Sequence, residues 1–188
     1  MSRARATLAP FVYRDPVGSG LRALKFHGDL RPVRLFGALL AATVGGAEGI
    51  TALLPVPLHH QRYAERGFNQ AEIIARHAGR WLGVPVRSDW LRRTRATPPQ
   101  TGLRGAERRR NLVDAFAATD ALRPVGRIVL IDDVLTTGAT VAGARAGLVA
   151  AGVPAVQVWT VARGDLRRDT RREPLREDAA AGQPARSA

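Results

Sequence analysis

Ile128-Val129-Leu130-Ile131-Asp132-Asp133-Val134-Leu135-Thr136-Thr137-Gly138-Ala139-Thr140 is the stretch on which the fold turns. Its unbroken apolar run, Ile128 to Ile131, has the character of a central parallel strand buried on both faces. The run delivers two adjacent carboxylates, Asp132 and Asp133, to the strand's carboxyl end, where open α/β sheets bind ligands. A Thr-Thr-Gly-Ala-Thr turn then leads into a helix N-terminus, whose free N–H groups and dipole favour a phosphate. The hydroxyls of Thr136, Thr137 and Thr140 add donors, and Gly138 admits a phosphate oxygen without a Cβ in the way. Carboxylates beside such a nest suit a sugar phosphate. The acids accept hydrogen bonds from ribose hydroxyls, and the nest takes the 5′-phosphate. Adjacent carboxylates also repel one another in an empty site. Replacing both with Asn is therefore expected to spare the fold, or even to stabilise it slightly.

Outward from this stretch the chain alternates strands and helices. Asp29 reads as an N-cap, with Pro32 in the first turn and Leu30, Val33, Phe36, Leu39 and Leu40 at helical spacing. Gly45-Gly46 ends that helix. Ile50 to Val56 reads as a short buried strand. Asn69 caps a second helix, with Glu72 at the capping-box position and Gly83 closing it. Strands are expected near Val84 to Val86, Trp90 to Leu91 and Leu112 to Ala117. A helix from Ala139 to Ala151 and a last strand from Ala155 to Val161 follow the central stretch. This alternation predicts a central parallel sheet flanked by helices. Residues 1–163 form the expected domain, and 164–188 a basic, disordered tail without apolar periodicity.

The chain's 188 residues suffice for one domain with a hydrophobic core. Leu35 to Leu58 is apolar, but Gly45, Gly46, Glu48, Gly49, Pro55 and Pro57 break it, so no membrane-spanning helix is expected. Met1 to Pro10 is basic with no apolar run after it, and no secretory signal is read there. With no cysteine, disulfides, thiol nucleophiles and Cys-based zinc sites are excluded, which fits a cytoplasmic protein. His59-His60 is the only histidine pair. Neighbours in a loop chelate one metal poorly, and no residue is assigned to a metal. No Walker A motif is present. The net charge is +13, and Lys25 is the one lysine among 29 basic residues. Such a surplus favours anionic partners. Much of it lies in Arg92 to Arg110 and Arg163 to Arg172. Single-stranded DNA is therefore a candidate partner, although few aromatics are available for base stacking.

The central stretch resembles the phosphoribosyl pyrophosphate (PRPP) signature of type I phosphoribosyltransferases. Further stretches sharpen the likeness: Leu24-Lys25-Phe26-His27-Gly28-Asp29; Pro55-Val-Pro-Leu-His59 with Arg62 and Glu65-Arg66-Gly67-Phe68-Asn69-Gln70; Thr97-Pro-Pro-Gln100-Thr-Gly102-Leu103; and Glu107-Arg-Arg-Arg-Asn111. Together, from about Tyr13 to Arg163, they resemble the competence protein F (ComF) family. Members often carry a cysteine-rich zinc module ahead of the transferase-like domain. This chain has no cysteine, so no zinc is expected and that module's roles are not carried over.

The resemblance implies a type I phosphoribosyltransferase fold with a small hood. It places Asp132 and Asp133 on the ribose hydroxyls as the catalytic pair. Leu135, Thr136, Thr137, Gly138, Ala139 and Thr140 would surround the 5′-phosphate. Arg62 and Arg66 would face the pyrophosphate. Arg104, Arg108 and Arg109 would belong to a loop that closes over the substrate. Magnesium would be chelated chiefly by PRPP. The implied chemistry is displacement of pyrophosphate from PRPP, in a protein linked to natural competence and DNA uptake. Competence-machinery proteins would be its partners, and such transferases often form homodimers. A non-catalytic PRPP or nucleotide sensor, or a single-stranded-DNA accessory protein, are the competing readings.

Overall fold

A computed structural model describes residues 7–94, 115–123 and 126–164. In chain order these form β1 (Thr7–Leu8), β2 (Phe11–Val12), α1 (Val17–His27), α2 (Arg31–Val44), β3 (Ile50–Pro55), α3 (His60–Arg66) and α4 (Gln70–Leu82). There follow β4 (Leu91–Arg93), β5 (Phe116–Ala118), β6 (Arg127–Leu135), α5 (Ala139–Ala150) and β7 (Ala155–Arg163).

The apolar run at Ile128 to Ile131 lies at the centre of the sheet, as its composition predicts. All four residues are 0% exposed. β6 is flanked by β3 on one side and β7 on the other, both parallel to it. β1 and then β2 continue along the outer edge of β7, also parallel. Side chains alternate across a strand, so β6 feeds two cores. Val129 and Ile131 pack with Leu21, Leu24, Phe36, Leu40 and Ile74, from α1, α2 and α4. Ile128 and Leu130 pack with Val141, Ala144 and Leu148 of α5, and with Trp90, Leu91 and Phe116. Burial on both faces is what an unbroken apolar strand requires. The result is the expected α/β architecture, a mostly parallel sheet with helices on both faces.

The segment Leu35 to Leu58 divides as its glycines and prolines suggest. α2 ends at Gly45, which takes a left-handed φ of 70°, and β3 begins at Ile50. Among the described residues no helix is long and apolar enough to cross a membrane.

β4 and β5 form a separate antiparallel ribbon. Its backbone rests directly on α5. A Cβ at Gly147 would lie 2.7 Å from the Phe116 carbonyl oxygen, a separation that real Cβ atoms do not adopt. Gly147→Ala should therefore push the ribbon off the helix, at a cost of about 1–3 kcal/mol. A urea titration should show a lower midpoint at unchanged slope. An unchanged midpoint would mean that this contact carries no stability.

Several local expectations are corrected. β6 does not stop at Ile131. It runs on through both aspartates to Leu135, because β7 keeps pairing as far as Leu135↔Arg163. The N-cap of α2 is Leu30 rather than Asp29. Asp29 nevertheless accepts from the Arg31 backbone N–H at 3.0 Å and grips its guanidinium. Asn69 does cap α4, accepting from Ala71 N–H at 3.0 Å. Glu72 does not complete a capping box. Its carboxylate turns instead to Arg76 and Ser88. Val84 to Val86 supplies a single bridge to Leu53 rather than a strand. β5 begins at Phe116, and residues 112–114 of the expected strand lie outside the described residues. The helices α1 and α3 and the strands β1 and β2 do not figure among the predicted elements.

Candidate functional site

The site forms where β3 ends at Pro55, opposite Ile131, while β6 runs on beside β7 through both aspartates. Past Pro55 the chain turns through Pro57 and Leu58 into α3. His59 caps that helix, and its Nδ1 accepts from Gln61 N–H at 3.4 Å. Burial lowers the His59 pKa, and the positive charges of Arg93 and Arg62 add to the effect. A neutral ring has one nitrogen free to accept, and the cap geometry assigns that role to Nδ1. A short α3 thus carries both Arg62 and Arg66. Gly67, at φ 75°, ends it. Asn69 then locks the start of α4 to β3 by donating to the Val56 carbonyl at 3.0 Å.

The resulting cavity measures about 210 Å³. Lys25, Arg62, Arg66 and Arg93 line it, as do Asp132, Asp133, Thr136 and Thr140. A smaller recess beside it is bounded by Leu135, Thr136, Gly138, Ala139 and Thr140, and shares Asp132. The residues expected to hold a 5′-phosphate are therefore gathered, except that Thr137 lines neither space. Its hydroxyl instead accepts from Ala139 N–H at 3.4 Å, shaping the turn. Gly138 is the N-cap of α5 at φ 74°, a conformation that other residues rarely adopt. Arg62 and Arg66 both reach the larger cavity, and Arg66 is steadied by donating to the Gln70 side-chain oxygen at 3.2 Å. Arg104, Arg108 and Arg109 lie outside the described residues, as does most of both Arg-rich segments.

Two cations of the cavity were not predicted from the residues. Arg93, on β4, is largely buried, and burial lowers its pKa. A guanidinium stays charged at neutral pH all the same. Its guanidinium lies over the Phe116 ring, 5.3 Å from the centroid. Lys25 comes from the last turn of α1 and places its ammonium 2.5 Å from Asp133 Oδ2. The Leu24-Lys25-Phe26 motif could have flagged it as the chain's one lysine.

This ion pair makes the two carboxylates unequal. Asp133 is 4% exposed. Its Oδ1 accepts from Val134 N–H at 2.8 Å, and its Oδ2 faces Lys25. Asp132 is half-buried, and its Oδ1 accepts from Asp133 N–H at 2.9 Å. Burial, and then the charge of Asp133, push the Asp132 pKa up to about 8. Lys25 acts against this only in part.

A consequence for stability follows. Between the ordinary carboxylate pKa near 3.8 and the raised value, the unfolded chain has lost this proton while the folded chain keeps it. Stability must therefore fall as pH rises through that window, and level off above it. Asp132→Asn removes the effect. The variant should match the wild type near pH 4 and exceed it at pH 8.5. Allowing for solvent screening of a half-buried group, the gain is about 1 kcal/mol, or about 3 °C in Tm. Thermal melts at the two pH values check this. Equal Tm values at pH 8.5 would show that Asp132 ionises freely in the fold.

Among the described residues, no three His, Cys, Asp or Glu side chains converge as a metal site.

The chain is 34% identical over 159 residues to competence protein F of Haemophilus influenzae, covering 80% of this chain and 69% of that protein. It is 38% identical over 158 residues to DNA utilization protein YhgH of Escherichia coli K12, again covering 80% and 69%. Competence protein ComFC of Streptococcus pneumoniae is 29% identical over 156 residues, covering 82% and 67%. No family model matches the chain.

Proposed function

The chain belongs to the competence protein F (ComF) family, and from that premise we propose that it binds PRPP at the Asp132–Thr140 site, displaces its pyrophosphate, and serves in competence or DNA utilization. The observation that carries the PRPP reading is the joint cavity. A carboxylate pair and four cations line one cavity, and a Thr- and Gly-built helix N-terminus lines the recess that adjoins it through Asp132, Thr136 and Thr140. The link to DNA rests on the names of the relatives.

Under this reading the recess at Thr136 to Thr140 takes the 5′-phosphate by its N–H and hydroxyl donors. The acidic pair takes the ribose hydroxyls. Arg62, Arg66 and Arg93 face the diphosphate. Displacement breaks the bond from the anomeric carbon to the diphosphate oxygen and forms one to a nitrogen nucleophile. Asp133, joined by Asp132 above its raised pKa, offsets positive charge as it builds on the sugar ring. The donor set fits a magnesium ion carried in on the ligand, because Asp132 is the less engaged carboxylate and Mg²⁺ keeps mostly water and phosphate oxygens; the ion would neutralise the departing diphosphate. A cytoplasmic location accords with that substrate.

Thermal denaturation with a ligand panel tests the proposal. PRPP with magnesium at 100 times its Kd should stabilise the fold by about 2.7 kcal/mol, or about 5–10 °C. Ribose 5-phosphate should give a smaller rise, and ATP none. Equal shifts with every phosphate compound would reduce the site to a general anion sink and overturn the reading.

A further inference from the structure

We infer that Lys25 is a two-position group: it rests on Asp133 while the site is empty and swings to the ligand's diphosphate when a ribose hydroxyl takes its place. This rests on the PRPP reading and deepens it by assigning a residue of α1, outside the signature, to the diphosphate.

The starting point is the condition of Asp133. Its Oδ2 is buried and meets the Lys25 ammonium at 2.5 Å, yet has no aligned hydrogen-bond donor. The contact is charge pairing without hydrogen-bond geometry. A buried carboxylate oxygen in that condition is poorly satisfied. A ribose hydroxyl, which both donates and accepts, would serve it better. With the ammonium in place Oδ2 is closed off, so a ribose hydroxyl reaches it only if Lys25 gives way.

Lys25 can move. Its side chain is 22% exposed, at the cavity wall, in the last turn of α1. A lysine stem has four rotatable carbons and a compact charge, unlike the fixed fork of arginine. Its destination is set by charge. Arg62, Arg66 and Arg93 line the same cavity. Released from Asp133, the ammonium faces whatever anion those cations gather. With a diphosphate there, the move exchanges one anionic partner for another, and no bare charge is left behind. With a ligand that carries no diphosphate, the ammonium loses Asp133 and gains nothing.

Discrimination between PRPP and ribose 5-phosphate follows. Titration calorimetry of the full chain with each ligand, with magnesium, reads it directly. Lys25→Met should weaken PRPP at least about tenfold, and leave ribose 5-phosphate unchanged or tighter. Lys25→Arg should recover part of the PRPP loss. Because Lys25→Met strands Asp133, its own thermal melt reports folding, and Lys25→Arg, which keeps a cation beside Asp133, serves as the second variant. Equal losses for the two ligands would reduce Lys25 to a structural tie and overturn the inference while sparing the PRPP reading. Absence of PRPP binding by the wild type would overturn both.

Discussion

Asp132→Asn should weaken PRPP binding by at least about 100-fold while leaving the protein folded. Asp132 is the less engaged of the two carboxylates and bounds both the larger cavity and the phosphate recess. A hydrogen bond from a ribose hydroxyl to a carboxylate contributes about 1.5–3 kcal/mol, and two hydroxyls are available. An amide of the same shape cannot accept on both of its arms. Loss of fold does not explain the effect, since the same change should raise stability at pH 8.5. Asp133→Asn is a different experiment. It strips the buried partner from Lys25, and removing one member of such a pair is destabilising. The relief of repulsion expected on neutralising both acids is thus predicted for Asp132 alone. Binding by calorimetry and Tm for each single variant separate the two. Equal behaviour of both variants would contradict the assigned inequality.

Gly138→Val should abolish binding of the 5′-phosphate and cost the fold about 2 kcal/mol. Gly138 sits at φ 74° at the N-cap of α5. A left-handed backbone costs an ordinary L-residue about 1–2 kcal/mol, and a β-branched one more. The free N–H groups of the first helical turn form the recess, so any shift of the turn re-aims them. Ribose 5-phosphate reads this end of the site without the diphosphate. Its affinity should fall below detection in calorimetry. A variant that still binds it normally would place the phosphate elsewhere.

How much of this was legible in the residues can be traced element by element. Ile128 to Ile131 could be read because burial on both faces demands an unbroken apolar run, and nothing else in the chain supplies one flanked by acids and a Thr-Gly turn. Asn69 and Gly83 marked α4 because capping is local chemistry. The grouping of Thr136, Gly138, Ala139 and Thr140 followed for the same reason. The end of β6 was misjudged because pairing with β7 is a tertiary matter: Asp132 and Asp133 continue the strand although their side chains suggest its end. α1 was missed because its N-cap is a proline without a capping side chain and its buried face is small. With α1 unseen, Lys25 could not be placed on Asp133, far away in sequence. Arg93 was absorbed into a basic run, and only the pairing of β4 with β5 separates it from its neighbours.

The most direct test of the central claim is isothermal titration of PRPP with magnesium into the wild type and Asp132→Asn side by side. The account predicts saturable binding to the wild type near one ligand per chain, and loss of that signal in a folded variant. Binding of equal strength to both proteins, or none to the wild type, would contradict it.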